Sequence, residues 1–243
     1  MGYLLLILIF EIFGLSLLSK KLTNALYHVF LRIFRHREIA LPILIVLLFP
    51  GTVIHELAHL FIAEILGVKT GKLNLAPESI EGSQIQTGSV ELVQTDPFRR
   101  SVIGLAPFFV GLTALFVLSS ILPNLWNNTI SAYNQGILFS SLSLYYLLAT
   151  LYFLFAVSTT MFASKEDMKG VIPLAIVLGM IGGALYFTGV RIGITEELTK
   201  SVTGILSAIV QSLSLVLFLN LFLYVLAAAG VWRGKNKQVI QNQ

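Results

Sequence analysis

The sequence of residues 39–67 is IALPILIVLLFPGTVIHELAHLFIAEILG, and only His55, Glu56, His59 and Glu64 interrupt its apolar character. A stretch of this length is long enough to cross a bilayer as a helix. An ionisable side chain at the centre of a membrane helix costs at least about 2.5 kcal/mol, so such groups persist there mainly for function. The stretch therefore predicts a transmembrane helix that contains a polar site.

The polar site has the spacing of the metal-binding motif HExxH. On a helix, His55 and His59 lie four residues apart on one face, where both imidazoles can reach one zinc ion. Glu56 is near enough to act on a water molecule that the metal activates, without being a ligand itself. The alternatives are a buried histidine pair or a polar cluster that faces other helices. The costly apolar setting favours a metal site.

The composition of the chain is that of an integral membrane protein. Of its 243 residues, 56% are hydrophobic and 12% are charged, and this charged fraction is about half that of a soluble domain. We expect a single multi-pass domain over residues 1–243, embedded in the lipid bilayer of a cell membrane. Because the chain has no cysteine, the candidate zinc ligands are His, Asp and Glu. The basic residues are scattered over the loops, so nucleic acid is not an expected partner.

Apolar segments predict an all-α polytopic fold with about six transmembrane helices. The predicted spans are 3–19, 39–67, 101–122, 136–161, 170–190 and 203–231. If all six cross the membrane, the HExxH motif, the end of the fourth span and the C-terminus lie at the same face.

The segment 20–36 differs in character from the first span. Its polar residues recur every three or four positions and so form one stripe along a helix. The stripe consists of Lys21, Asn24, His28, Arg32 and Arg35. This pattern is typical of an amphipathic helix in the membrane interface with its basic face toward the headgroups. A solvated loop helix is the alternative.

Residues 68–98 follow the motif directly and alternate between polar and apolar side chains. Pro77, Gly82 and Gly88 punctuate the alternation. The segment therefore predicts short antiparallel strands or hairpins, forming a small membrane-associated β insert.

A catalytic zinc site usually has three protein ligands, and HExxH supplies two of them. Under the six-span arrangement, Glu166 and Asp167 follow the fourth span and reach the same face as the two histidines. Gly170 permits a tight helix break beside Asp167. An ordinary polar turn between two spans explains the same residues equally well.

The motif region resembles the site-2 protease family of intramembrane zinc metalloproteases. The resemblance involves residues 51–75, the β-rich segment and the third span with its glycines and proline, and it covers a core of about 39–170. In that family an Asp lies eight residues after an Asn at the end of a later core span, and it completes the zinc site. Asp167 stands eight residues after Thr159, so the resemblance implies that Asp167 is the third ligand, with Glu166 as the alternative.

The chain departs from the family pattern at three places. Thr159 replaces the Asn, Met168 follows the Asp where the family has Gly, and Ala58 replaces the Gly common within the family's HExGH. No PDZ-like soluble insert is present between the spans, so the chain would be a minimal member.

The resemblance implies a zinc-dependent intramembrane endopeptidase that hydrolyses transmembrane or membrane-associated protein substrates. One Zn²⁺ would be held by His55, His59 and Asp167, Glu56 would act as general base, and the active site would lie toward the cytosol. The β insert would offer a strand edge that holds an unwound substrate segment.

Two other functions are open at this point. The first is a catalytically inactive pseudoprotease or membrane chaperone of the same fold. The second is a metalloprotease of the CAAX type, which draws a further Glu from a later helical motif that has no good counterpart here. A metal transporter is disfavoured, because the other spans contain no acidic or histidine pathway.

Overall fold

The fold was analysed in a computed structural model. It describes residues 2–74, 79–81, 84–86, 89–92, 95–162, 176–177, 179–181, 183–184, 187–188 and 195–241. Within these residues, five helices are long and apolar enough to cross a membrane, as a multi-pass membrane protein requires. They are α1 (Gly2–Phe34), α2 (Arg37–Ile65), α3 (Pro97–Asn134), α4 (Leu142–Thr160) and α5 (Glu196–Gln241).

Helix α1 is continuous over the first predicted span and the amphipathic segment, which were expected to be two separate elements. Residues 15–34 contain no Gly or Pro, so nothing in the backbone interrupts the helix where the side chains become polar. At 1.5 Å per residue the 33 residues of α1 extend for about 50 Å, which exceeds the ~30 Å hydrocarbon core of a bilayer. The helix ends at Phe34, and the next residue, Arg35, has a positive φ of 59°.

Helices α2, α3 and α4 alternate in direction. Helix α2 turns back directly after α1, and α3 begins beside the end of α2, where the His59 ring contacts the carbonyl of Ile103. Helix α4 then runs parallel to α2, since the Tyr152 hydroxyl donates to the Leu47 carbonyl at 3.0 Å and Gly51, four residues later, contacts the backbone of Ala156. We call the end of the bundle that holds HExxH the motif end, and the opposite end the far end. Helix α4 finishes at the motif end.

Helix α5 runs parallel to α1, which corrects the predicted topology. Leu4 packs with Leu206 near the start of both helices, and Arg32 donates to the carbonyl of Gly230 at 2.7 Å near their ends. Helix α5 therefore starts at the motif end and leads to the far end. The prediction that the C-terminus shares the face of the motif is wrong.

The predicted count of six spans is not tested beyond the five described helices. Helix α4 ends and α5 begins at the motif end. The predicted fifth span, 170–190, lies mostly outside the described residues.

Four short strands follow α2. They are β1 (Thr70–Asn74), β2 (Ser79–Glu81), β3 (Gln84–Gln86) and β4 (Ser89–Leu92). Strand β1 pairs antiparallel with β4, and β2 pairs antiparallel with β3. The β1–β4 register is irregular between Thr70 and Leu73. Neither described pair extends into a larger sheet, so the described fold is almost entirely helical.

The core lies where α1, α3, α4 and α5 meet. Its fully buried side chains come from all four helices, and Ile54 of α2 packs against them. The cluster consists of Leu15, Leu115, Leu154, Val157, Met161, Leu213 and Val216. The core thus reaches the residue that precedes the HExxH motif.

Candidate metal centre

The HExxH motif lies in the last three turns of α2, with two of its polar side chains turned into the bundle. Glu56 is 5% exposed and His59 is 6% exposed, whereas Leu57 between them is 48% exposed. Glu64, farther along the same helix, is exposed. The helix therefore directs Glu56 and His59 toward the protein interior and places Leu57 and Glu64 outside.

The two histidines are close enough to share a metal ion. Their Nε2 atoms lie 3.3 Å apart, and the rings meet edge to face at an interplanar angle of 78°. Two imidazole nitrogens bound tetrahedrally to zinc at 2.0–2.1 Å would lie about 3.3 Å apart. The donor set and its spacing therefore fit zinc. A hydrogen bond between the two Nε2 atoms has a similar length, so the distance is also that of a plain histidine pair.

The His59 ring is oriented by a backbone carbonyl of α3. Its Nδ1 lies 2.9 Å from the carbonyl oxygen of Ile103. Since a carbonyl can only accept, Nδ1 carries the hydrogen, and in the neutral ring Nε2 directs a lone pair toward His55. Metal-bound histidines commonly donate their other ring N–H in this manner, which fixes the tautomer and the ring orientation.

Pro107 explains why the Ile103 carbonyl is available to His59. In an α-helix the carbonyl of residue 103 would accept from the N–H of residue 107. Proline has no N–H, and Pro107 is fully buried within α3. In the sequence, Pro107 is one of several Gly and Pro residues of the third predicted span, and no role was predicted for it. Its spacing is informative: a proline four residues after Ile103 leaves the Ile103 carbonyl without its helical donor, in the span that directly follows the motif.

The chain reversal after α2 holds Ile103 beside His59. Gly67 adopts the left-handed conformation with a φ of 67°, and the N–H of Val68 then donates to the carbonyl of Ala63 at 2.9 Å. This capping arrangement suits glycine, because other residues are strained at a positive φ. Ala63, Val68 and Ile103 form a small buried cluster, which fixes the start of α3 against the motif.

Helix α4 contacts α2 one turn before the motif. A Cβ atom on Gly51 would overlap the carbonyl oxygen of Ala156 and the hydroxyl of Thr160, so the two backbones approach closely because Gly51 has no side chain. Met161, 2% exposed, follows directly and packs in the cluster that Ile54 joins. The chain therefore leaves α4 next to the turn that carries His55.

The predicted third ligand is not tested by the described residues. Asp167 and its alternative Glu166 lie outside them. Within the described part of the chain, no three His, Asp or Glu side chains form a group that could hold a metal ion. The described residues bring His55 and His59 together, with Glu56 buried beside them.

Glu11 is buried in the membrane-spanning part of α1, away from the motif on the chain. Its carboxyl group is hydrogen-bonded to the hydroxyl of Ser214 on α5, and its exposed fraction is 4%. Glu11 therefore belongs to the contact between α1 and α5.

No protein-family model, curated protein or solved structure matches this chain. A function is therefore inferred from the chemistry and geometry of the histidine pair, together with the sequence pattern around it.

Proposed function

We propose that this protein is a zinc-dependent intramembrane endopeptidase similar to the site-2 proteases. The observation that carries the proposal is the histidine pair: two Nε2 atoms lie 3.3 Å apart, one ring is held by a backbone carbonyl, and both lie in a helix apolar enough to cross a membrane. A motif that serves no purpose would leave costly polar groups in this setting.

His55 and His59 would hold one zinc ion, with Asp167 as the proposed third protein ligand. Bound zinc supplies Lewis acidity, which favours deprotonation of water near neutral pH and polarises the carbonyl that is attacked. The end of α4 at Met161 packs beside the turn before His55. Asp167 follows Met161 by six residues, a length of chain that can reach the histidines.

Glu56 would act as the general base. Its carboxylate oxygen would take a proton from the attacking water as the oxygen–carbon bond forms. The same oxygen would return that proton to the amide nitrogen as the carbon–nitrogen bond of the substrate breaks. Glu56 is 5% exposed, so its carboxylate is shielded from lipid and bulk water. This burial would favour proton exchange with the attacking water rather than with solvent.

The strands that follow α2 would hold the substrate. A transmembrane helix hides its peptide bonds in its own hydrogen bonds, so a segment must unwind before hydrolysis. Strand β1 begins at Thr70, soon after α2 ends at Ile65. A free strand edge can bind an extended segment through backbone hydrogen bonds, which supports this role for the segment 68–98.

The membrane orientation has two opposing indications. The family resemblance places the motif end toward the cytosol, and we adopt this orientation. The Lys and Arg residues of the described chain are more numerous at the far end, which by the positive-inside rule favours the reverse. Labelling of introduced cysteines with an impermeant maleimide distinguishes the two orientations.

Cleavage of a single-span reporter protein in proteoliposomes tests the proposed function. We expect wild-type protein to cleave the reporter, to lose this activity with a zinc chelator, and to regain it with added zinc. Glu56→Gln should abolish cleavage, and Glu64→Gln, an exposed carboxylate on the same helix, should retain it. Cleavage that persists in Glu56→Gln would contradict the proposal. Zinc binding without any cleavage would instead favour the inactive membrane protein with the same fold.

A further inference from the structure

The far end of the bundle concentrates positive charge, and the motif end does not. Because α1 and α5 are parallel, the basic second half of α1 and the basic end of α5 lie at the same end. Among the described residues, this end has eight Lys and Arg residues and one acidic residue. These are Lys20, Lys21, Arg32, Arg35, Arg37, Arg233, Lys235 and Lys237, with Glu38.

At the motif end, positive and negative residues nearly balance. The described part of the chain has five basic and six acidic residues there, apart from Glu56 of the candidate metal centre. They are Lys69, Lys72, Arg99, Arg100, Lys200, Glu64, Glu81, Glu91, Asp96, Glu196 and Glu197. Within the described part of the chain, the far end therefore carries a net positive charge, whereas the motif end is nearly neutral.

The basic residues of α1 occupy its outer face. Lys20, Lys21 and His28 are exposed, whereas Leu22 is fully buried against α2 and α4 in a cluster with Leu44. Since α1 is one continuous helix, its basic residues line one side of it, and Arg35 follows directly at its end. We call Lys20, Lys21, His28, Arg32 and Arg35 the basic strip.

The basic strip lies at the depth of lipid headgroups. Leu22 packs with Leu44, seven residues into α2, so the backbone of Lys20 and Lys21 lies about 12–13 Å below the beginning of that helix. Lysine side chains at this depth can extend along the helix to bring the ammonium group to the interface. Ile33 and Phe34 beside the strip are exposed apolar residues, which suits acyl chains rather than a soluble anionic partner.

Exposed aromatic side chains mark the same level. Trp126 of α3 is 56% exposed, and Tyr133, Tyr145 and Tyr146 are exposed near the same end of α3 and α4. Trp and Tyr are enriched where membrane helices meet the headgroups. These aromatic residues favour a headgroup level for the part of the basic strip near the far end, which comprises His28, Arg32 and Arg35.

We propose that the basic strip is a binding surface for acidic phospholipids, whose phosphate groups it attracts. Juxtamembrane clusters of Lys and Arg attract anionic lipids electrostatically. The strip would gather acidic lipid around the far end, independently of any chemistry at the motif end. The inference does not depend on the proposed function, because neither zinc nor hydrolysis enters it.

Tryptophan quenching by brominated lipids tests the proposal in the full-length protein. Trp126 and Trp232 both lie in the far-end parts of their helices, so quenching reports lipid near this end. Vesicles of phosphatidylcholine with a minor fraction of phosphatidylglycerol would carry bromine on either one lipid or the other. We expect acidic lipid to be enriched about fivefold over its bulk fraction, the ratio that one Lys or Arg near a headgroup provides.

Two matched triple variants locate the effect. Lys20→Gln with Lys21→Gln and Arg35→Gln should lower the enrichment toward the bulk fraction, because three of the four Lys and Arg charges of the strip are lost and the fourth, Arg32, is hydrogen-bonded to the Gly230 carbonyl of α5. Lys69→Gln with Arg100→Gln and Lys200→Gln removes three exposed charges at the motif end and should leave the enrichment unchanged. The charge-preserving Lys20→Arg with Lys21→Arg should retain it.

Salt gives a second test that needs no variant. Because screening weakens exposed charge interactions, enrichment around wild-type protein should fall as the salt concentration rises. Wild-type protein without a preference for acidic lipid would overturn the proposal and leave the basic strip with a role in topology alone. Equal losses in the two triple variants would also overturn it, since the effect would then belong to total charge.

Discussion

Replacing Pro107 with alanine separates helix stability from metal binding. The new N–H at residue 107 can donate to the Ile103 carbonyl, which His59 Nδ1 contacts at 2.9 Å. The carbonyl would then be shared, and the hydrogen bond that orients the His59 ring would weaken. We expect zinc affinity to fall about 10- to 100-fold, the usual effect of removing a partner that orients a metal-bound histidine.

The stability of the protein should move in the opposite direction. Alanine is favoured over proline in a helix interior by about 3 kcal/mol. Losing two buried methylene groups of Pro107, which is fully buried, costs about 1.6 kcal/mol. The free energy of unfolding should therefore stay level or rise by about 1 kcal/mol. A variant that simply folds less well would not combine weaker zinc binding with an unchanged or higher free energy of unfolding.

Pro123→Ala is the matched control, because Pro123 interrupts the same helix and is exposed. It should stabilise α3 without altering zinc affinity. Competition with a chromophoric chelator would measure the affinity, and helical circular dichroism on heating would measure stability. If Pro107→Ala bound zinc as tightly as Pro123→Ala, the carbonyl of Ile103 would not be what orients His59.

Three further predictions concern the contact of α2 with α4, the direction of α5 and the third zinc ligand. Gly51→Ala should lower the free energy of unfolding by about 1–3 kcal/mol, since its Cβ would overlap the backbone of α4; thermal unfolding measures this, and wild-type stability would argue against the close contact. The chain has no cysteine, so single cysteines can be introduced at Ser140 and Gln241. Both should react with an impermeant maleimide from the same membrane face, which we propose is the non-cytosolic one. Labelling from opposite faces would refute the direction of α5. Asp167→Ala should reduce bound zinc far more than Glu166→Ala does, as metal analysis of the purified variants would show, and full zinc content in Asp167→Ala would remove Asp167 as a ligand.

Local patterns in the sequence were sufficient to locate four of the five described membrane helices and to predict the histidine pair. The apolar run of 39–67 predicts a membrane helix, and the spacing of His55 and His59 predicts their proximity, because both depend on contacts within one turn of helix. Hydropathy also located the regions of α3, α4 and α5.

Contacts between distant segments were beyond these patterns. Hydropathy has no direction, so it did not reveal that α5 lies parallel to α1. The change from apolar to polar residues at Lys20 suggested an element boundary, although polar side chains do not interrupt a helix that lacks Gly and Pro. The pairing of Ile103 with His59 joins residues 44 positions apart, and only the fold reveals what Pro107 makes available.

X-ray absorption at the zinc edge of the purified, zinc-loaded protein tests the central claim most directly. We expect one zinc ion with two imidazole nitrogens at about 2.0–2.1 Å and oxygen atoms as the remaining ligands. The imidazole signal should be lost in His59→Ala. A protein that binds no zinc, or that binds it without imidazole nitrogens, would contradict the claim that His55 and His59 form a metal centre.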